Sequence, residues 1–294
     1  MSAEWQTSVS RVDDGKVLIR GYDLDALIGG QSFTSSCFLL VRGRLPSPGE
    51  QRAFDAVLNA VLDYALLKPG TVAARYAVSA NPSMVAGLAA AVLSVGSYTL
   101  APEDTARFAL MAYERHVAAG SPIAESAAVI VEDVRTRKAR VPGIGHPLFK
   151  GVDPRAQKLK QIAVAEGLWS ERSELYEGIH RTFVDAIGKP DIPINDVGMM
   201  ALVMLELGFT PDEMTGIAVL STLPGVIAHI SEELASGRRI RTVPDDEVDY
   251  SAVVPRDFDR DREAARLGAR HPDSRPHQDG SDGVPGTGSV GGSA

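Results

Sequence analysis

Groups capable of acid–base and anion-binding chemistry are concentrated in one stretch of the sequence, Val141–Arg155, between two helix-like segments. Its three glycines allow close backbone approach, and its three prolines fix φ and remove donors, so the stretch predicts a rigid, shaped turn. His146, Lys150 and Arg155 supply an imidazole, an ammonium and a guanidinium, which can hold and protonate an anionic substrate. The alternative is a connecting loop that merely carries a histidine, and composition alone favours it.

Other kinds of site are disfavoured by spacing and composition. No second histidine or carboxylate stands at metal-ligand spacing from His146, so we expect no metal. The glycine-rich stretch lacks the Gly-Lys-Ser/Thr ending of a nucleoside-triphosphate loop. The single cysteine, Cys37, excludes a disulfide framework and a multi-thiolate metal site, as is typical of a reducing cytosol. We therefore expect a cytoplasmic protein.

Charge and hydropathy narrow the choice of partners. The formal net charge is −8 over 294 residues, which argues against nucleic acid or an anionic membrane as the main partner. The most apolar run, Met84–Val95, is shorter than the roughly 20 residues that a bilayer span needs. The first twelve residues lack the apolar core of a signal peptide. The sequence thus predicts no membrane segment and no nucleic-acid partner.

The elements around the turn are helical. Phe54, Val57 and Leu58 begin an apolar stripe that predicts a helix from about Pro48 to Leu66. Met84–Val95 has no charge on any side, which predicts a helix at the centre of the core and in a dimer interface. A long apolar helix begins at Asp196, which we expect to be its N-cap. There is no βαβ alternation and no repeat, so the fold class is all-α.

The composition divides the chain into three parts. Residues 1–16 are expected to be extended, with a short strand at about 16–20. Residues 17–270 carry the helical patterns and form one helical domain. Residues 271–294 consist largely of Gly, Ser, Pro and Asp without an aromatic residue, which predicts a disordered tail because too little apolar surface is available for burial.

The 141–147 segment, Val-Pro-Gly-Ile-Gly-His-Pro, followed by Asp153-Pro154-Arg155, resembles the signature loop of the citrate synthase superfamily, which includes the citryl-CoA lyases. Weaker matches stand at residues 20–23, 39–46, 193–196 and 225–229, so the resemblance extends over residues 17–260. It implies a homodimer with a large and a small helical subdomain, the small one at about 150–225. It also implies an enzyme that makes or cleaves a carbon–carbon bond between an acyl-CoA enolate and a keto acid.

The resemblance assigns roles to individual residues. Asp196 matches the base that removes the α-proton of the thioester, His146 the donor to the keto-acid carbonyl, and Arg155 the group that holds a substrate carboxylate. The CoA phosphates are expected near Lys150 and Lys189. The adenine is expected against the backbone of Val141, Pro142, Gly143, Ile144 and Gly145. Coenzyme A is thus the only cofactor implied, as acyl-CoA substrate or product.

Three positions depart from the family pattern. Thr99 stands where the family has the histidine that stabilises the enolate oxygen, and Ala65 and Ser221 replace a histidine and an arginine that contact the keto acid. These losses imply an altered substrate, with Thr99 as a weaker donor at the catalytic position. The alternatives are decarboxylation or hydrolysis through the same enolate, or a non-catalytic CoA-binding subunit that pairs with a complete paralogue.

Overall fold

The computed structural model describes residues 5–267, and the chain divides into two compact units with the boundary between Arg241 and Thr242. Because 61% of the described residues are helical, the predicted all-α class is confirmed. The tail expected at 271–294 lies outside the described residues. The elements of the first unit are β1 (Ser10–Asp13), β2 (Lys16–Ile19), β3 (Tyr22–Asp23), α1 (Leu24–Leu27), α2 (Phe33–Arg42), α3 (Pro48–Ala60), α4 (Pro69–Ala80), α5 (Met84–Leu93), α6 (Pro102–Ala119), α7 (Ile123–Thr136), α8 (Pro154–Ala165), α9 (Glu171–Ala186), α10 (Asp196–Glu206) and α11 (Pro211–Ser236).

The second unit contains a short 3₁₀ turn, Asp245–Glu247, and helix α12, Phe258–Arg266. At the other end of the chain, β1, β2 and β3 form a small antiparallel sheet, in which Ser10 pairs with Ile19 and Ile19 with Tyr22. The strand expected at about 16–20 is therefore present, and the residues before it supply a second strand.

The core of the first unit is built around α10, in which every residue from Gly198 to Leu205 is buried. It packs against α6, α8 and α3. Beside it, the rings of Phe38, Phe54 and Phe209 contact one another at centroid distances of 5.2–5.7 Å. A helix that is apolar all round needs neighbours on every side, and α10 meets that condition. Its first residues are thereby held in a fixed place.

Helix α3 is shorter than the apolar stripe predicts. Its start is set by a capping box between Ser47 and Glu50, but the helix ends at Ala60 instead of about Leu66. The chain then turns, and Ala65, with a φ of 49°, begins a single 3₁₀ turn that leads into α4. This early end releases residues 61–68 from the helix.

The expectation that α5 is buried on all sides is wrong for the single chain. Only Gly87 and Ala91 of α5 are buried, whereas Val85 is 73% and Leu93 85% exposed. One face packs against α4 and α11, and nothing in the described chain covers the other. The core therefore centres on α10.

Helix α11 is the one described helix that is long and apolar enough to cross a membrane, judged by length and composition alone. The core helix of a globular protein passes the same test. Eight residues of α11 are buried, and it packs against α3, α4, α5 and α6. Its role in the fold is that of a core helix.

Candidate active site

Two segments distant in sequence meet to form the site: the turn at residues 141–153 and the residues just before α10. Asn195 ties them together, because its backbone N–H donates to the Gly143 carbonyl at 3.0 Å and its Nδ2 to the Gly145 carbonyl at 2.9 Å. The Gly145 N–H in turn donates to the Pro193 carbonyl at 2.7 Å. The turn is therefore docked along the entry to α10.

Two glycines allow this close docking. Gly143 has a φ of 80°, and a Cβ on it would lie 2.7 Å from the Cα of Gly198. A Cβ on Gly198 would lie 2.8 Å from the Cα of Gly143. Backbone cannot approach backbone this closely across a side chain, so both positions need glycine.

His146 is held in one orientation by the turn itself. Its Nδ1 accepts hydrogen bonds from the backbone N–H groups of Leu148 and Phe149, both at 3.1 Å. In a neutral imidazole one nitrogen accepts and the other carries the proton. Because Nδ1 accepts, the proton lies on Nε2, the nitrogen near Tyr64 and Arg155.

Arg155 stands at the centre of the charged groups. Its Nη1 is 2.7 Å from Asp196 Oδ2, and its Nη2 is 2.8 Å from Asp153 Oδ2. Nη2 also lies 3.0 Å from Nε2 of His146. Since a guanidinium only donates, that last contact sets one donor against another. An anionic substrate would therefore be a better hydrogen-bond partner for Nη2 of Arg155 than Nε2 of His146 is.

Asp153 holds Arg155 and the start of α10 together. Its buried carboxylate caps α8 by accepting from the Arg155 N–H at 3.0 Å, and it also accepts from the Asp196 N–H at 3.1 Å. Burial opposes its ionisation, but the hydrogen bonds and charge of Arg155 outweigh burial and lower the pKa of Asp153. It remains an anion that orients Arg155.

Asp196 is the first residue of α10, and the helix is capped by Asn195, whose side chain accepts from the Gly198 N–H at 2.8 Å. The expectation that Asp196 itself is the N-cap is therefore wrong, and its carboxylate stays available for other contacts. The side chain is buried, and burial raises the pKa of Asp196 although the charge of Arg155 acts in the opposite direction.

A cavity of about 320 Å³ brings these groups together. Lys68 reaches it from the start of α4; burial lowers the pKa of Lys68, and the nearby charges of Asp63 and Asp196 act in the opposite direction. The sixteen lining residues are Val61, Asp63, Tyr64, Leu67, Lys68, Pro69, Tyr98, Thr99, Leu100, Gly145, His146, Pro147, Arg155, Asn195, Asp196 and Val197. Proton-accepting, hydrogen-bonding and cationic groups thus surround one small space.

Comparison with known proteins identifies the family of the chain. The family model described as "Citrate synthase, C-terminal domain" matches residues 2–98 and 46–243. The chain belongs to the citrate synthase family. Among its relatives, Citrate synthase 2 of Bacillus subtilis is 28% identical over 207 residues, which are 68% of this chain and 52% of that protein. The chain thus spans about half the length of this relative.

Solved structures give the same family. Citryl-CoA lyase from Hydrogenobacter thermophilus superimposes with a TM-score of 0.79 at 29% identity, covering 89% of this chain and all of the other. ATP citrate lyase from Methanothrix soehngenii, in complex with citrate and coenzyme A, gives a TM-score of 0.70 at 20% identity, covering 87% of this chain and 42% of that one. The second likeness shows the shared fold alone.

In this citrate synthase family member, the sequence-predicted residues fall into two groups. His146, Arg155, Asp196 and Thr99 line one cavity. Lys150 and Lys189 are exposed instead. Their two loops are adjacent, since the Gly151 N–H donates to the Asp191 carbonyl at 2.6 Å. The two lysines therefore lie outside the cavity, on neighbouring loops.

The backbone of residues 141–145 is largely engaged within the protein. Val141 is buried in the core, and the Pro142 carbonyl accepts from the Tyr176 hydroxyl. Ile144 pairs with Ile194 as an isolated β-bridge. Of the five residues, only Gly145 lines the cavity. The first role of this segment is thus to hold His146 against α10.

The positions that depart from the family pattern are only partly in the site. Thr99 lines the cavity, and its backbone N–H and carbonyl both pair with Gly96. Ser221 is buried and donates its hydroxyl to the Leu58 carbonyl. It therefore acts as a link between α11 and α3.

Three of these side chains could also serve as metal ligands. His146, Asp153 and Asp196 each offer a ligand atom, all within 4.8 Å of one another. Arg155 contacts all three of these residues, so a guanidinium already supplies the positive charge between them. The donor set therefore fits an arginine-centred network.

Sequence reasoning missed Tyr64, Lys68 and Asn195. All three line the cavity, yet no motif marked them. Tyr64 belongs to the segment that the apolar stripe assigns to α3, Lys68 follows two residues after the end of that segment, and Asn195 precedes the residue taken as the cap. The one signal that could have identified Tyr64 and Lys68 is that both are polar residues that follow the last apolar position of the stripe.

Proposed function

We propose that this chain catalyses the formation or cleavage of a carbon–carbon bond between an acyl-CoA enolate and a keto acid, in the manner of a citryl-CoA lyase or citrate synthase. One observation carries the proposal. A buried carboxylate with a raised pKa, Asp196, shares a small cavity with an oriented imidazole, His146, and a guanidinium, Arg155. These are the groups that such a reaction requires.

Asp196 acts as the base. A carboxylate in water is too weak to remove a proton next to a thioester carbonyl, and burial makes it stronger by raising its pKa. The proton moves from the α-carbon to the carboxylate, and the electron pair left on that carbon forms the enolate. In the direction of cleavage, Asp196 returns a proton to the same carbon.

His146 and Arg155 act on the keto acid. The enolate carbon attacks the keto carbon, the new carbon–carbon bond forms, and the carbonyl electrons move to oxygen. The Nε2–H of His146 stabilises that oxygen and protonates it. Arg155 binds the substrate carboxylate with the two-pronged geometry that suits a guanidinium, and in doing so it exchanges its contact with Nε2 of His146 for one to substrate.

Coenzyme A approaches from the side of the two lysine-bearing loops. Lys150 and Lys189 are exposed on adjacent loops and attract the CoA phosphates. The remaining free backbone groups of Val141–Gly145 meet the adenine. The thioester then extends toward Gly145 and into the cavity.

The substrate differs from that of an ordinary citrate synthase. Ala65 and Thr99 stand where the resemblance leads us to expect two imidazoles, and Ser221 where it leads us to expect a guanidinium. Fewer cationic and hydrogen-bonding groups are thus left for a small, highly anionic acceptor. A second cavity, of about 640 Å³ and lined mainly by apolar side chains of α3 and α8, also touches Arg155. This space supports a bulkier or less anionic substrate.

A second copy of the chain completes the assembly. The uncovered side of α5, with Val85 and Leu93 exposed, is an apolar face that a homodimer would bury. The same surface supports the expectation that the uncharged segment Met84–Val95 lies in a dimer interface.

The test is α-hydrogen exchange of acetyl-CoA in D₂O, followed by NMR, in the wild type and in the Asp196→Asn variant. We expect exchange in the wild type and a loss of at least about 10²-fold in the variant, the contribution typical of a general base. Asp212→Asn is the matched control, because Asp212 also lies in the first turn of a helix but is 84% exposed.

Exchange that persists in Asp196→Asn would overturn the assignment of the base. Exchange without carbon–carbon bond chemistry, accompanied by release of free CoA from acetyl-CoA, would favour hydrolysis. Release of CO₂ from an acyl-CoA that carries a β-carboxylate, such as malonyl-CoA, would favour decarboxylation. Binding of CoA in calorimetry without any exchange would favour a non-catalytic subunit.

A further inference from the structure

Tyr64 lies in the catalytic cavity because α3 ends early. The chain leaves the helix after Ala60 and turns, and the strained φ of Ala65 sends the following residues toward α4. Tyr64 is half-buried and lines the cavity with His146 and Asp196. A continued α3 would have carried Tyr64 along the helix axis. Because the helix ends early, the phenol of Tyr64 lies in the cavity instead.

The contacts of Tyr64 are specific. Its hydroxyl oxygen is 3.4 Å from Nε2 of His146, and the two rings meet edge to face, 5.8 Å between centroids at 88°. The guanidinium carbon of Arg155 lies 5.1 Å from the centroid of the tyrosine ring. The side chain is therefore held between the two groups that act on the keto acid.

Its hydroxyl oxygen lies beside the nitrogen that carries the imidazole proton. Nε2 carries the proton of His146, since Nδ1 accepts from two backbone N–H groups. A hydroxyl rotates freely and can donate to whatever oxygen lies next to that N–H. An oxygen bound to His146 Nε2 therefore has a second donor within reach.

The other candidates for a second donor are less suitable. Tyr98 also reaches the cavity but is 98% exposed. The backbone of Thr99 is paired with Gly96, and no hydrogen bond joins its hydroxyl to His146 among the described residues. Ala65, the position at which the resemblance leads us to expect a histidine, has no polar side chain. Among the neutral hydroxyls lining the cavity, only that of Tyr64 lies beside His146.

We propose that Tyr64 is a catalytic residue, whose hydroxyl donates, together with His146, to the keto-acid carbonyl oxygen as negative charge develops there. This inference rests on the proposed function. Tyr64 gives up no proton; it contributes a hydrogen bond that strengthens as the oxygen gains charge. It fills the role left open by Ala65, from the adjacent position in the chain.

A purely structural role is the competing explanation. The Tyr64 ring stacks on Arg155, so the residue could act only by orienting the guanidinium. The two roles depend on different atoms. The hydroxyl is needed for donation, whereas the ring alone is enough for the contact with Arg155.

The experiment measures two rates in the full-length protein. The first is α-hydrogen exchange of acetyl-CoA in D₂O, which needs Asp196 but no keto acid. The second is turnover of citryl-CoA, or of acetyl-CoA with oxaloacetate, which needs the keto oxygen stabilised. Tyr64→Phe keeps the ring and removes the hydroxyl, and Tyr64→Leu removes both.

We expect the ratio of turnover to exchange to fall by about 10²-fold in Tyr64→Phe, the effect of losing one oxyanion donor, with KM for the keto acid little changed. Tyr64→Leu should also raise that KM. Tyr113→Phe is the control, because it loses a hydroxyl bonded to Glu171 outside the cavity.

A turnover-to-exchange ratio in Tyr64→Phe that stays within about threefold of the wild type overturns the inference, even if Tyr64→Leu is impaired, since the ring alone would then explain the residue. If the wild type shows neither exchange nor turnover, the proposed function fails and the inference with it. Exchange in the wild type together with a reduced turnover-to-exchange ratio in Tyr64→Phe supports both the proposed function and the role of Tyr64.

Discussion

Replacing Gly198 by alanine should push the His146 turn away from α10. The added Cβ would lie 2.8 Å from the Cα of Gly143 and closer still to the Gly143 carbonyl oxygen. Nonbonded carbon atoms rest about 3.5–4.0 Å apart. Both neighbours belong to the backbone and cannot rotate aside, so the turn must move by roughly 1 Å.

That displacement acts on chemistry and on stability. It stretches the hydrogen bond from Asn195 to the Gly143 carbonyl and shifts His146 relative to Asp196, which lies two residues before the substitution. A misplacement of about 1 Å can reduce catalysis about 10²-fold. Overpacking of this kind costs about 1–3 kcal/mol of folding free energy.

The assay compares three proteins by their melting temperatures and by carbon–carbon bond turnover on citryl-CoA, or on acetyl-CoA with oxaloacetate. Gly216→Ala is the matched control, because Gly216 lies within α11 with no atom within 4 Å of an added Cβ. Alanine there should raise stability by up to about 1 kcal/mol and leave turnover unchanged. Wild-type turnover and melting temperature in Gly198→Ala would refute the reasoning.

Two further predictions concern stability and assembly. Glu233, 1% exposed, accepts hydrogen bonds from Arg75 and Arg241, and these bonds lower its pKa from the usual 4.5 to about 2. Its stabilising contribution is therefore complete above pH 4.5 and lost as the pH falls toward 2. In thermal unfolding across that range, Glu233→Gln should flatten the pH dependence and cost about 3 kcal/mol near neutral pH. If α5 is a dimer face, Leu93→Glu should shift the protein to monomer in sedimentation velocity, whereas a monomeric wild type would contradict the dimer.

Elements set by local signals were predictable from the sequence. Helix α10 begins at Asp196, as predicted, and α6 begins at Pro102 and is capped by Gly120 in the left-handed conformation, which are both signals of the local sequence. Proline at the start, glycine after the end and a regular apolar period act within a few residues. The family motif of the His146 turn is likewise local, and its residues fall together in the structure.

Local signals did not predict features that depend on packing against residues distant in the sequence. The apolar stripe continues past Ala60, but α3 ends there, and the turn that follows brings Tyr64 beside His146, 82 residues further on. For α5, the absence of charge shows that its surface favours burial. It does not show which partner covers that surface.

The sequence by itself determined the helical class, the family and the acid–base groups, because residue type, period and motif are properties of short segments. Only the tertiary structure decided which of these acid–base groups lie in contact with one another. Arg155 lies between Asp153, Asp196 and His146, and Gly143 against Gly198, because distant segments pack at van der Waals distance around α10. Burial then raises the pKa of Asp196, and that burial is a property of the assembled core.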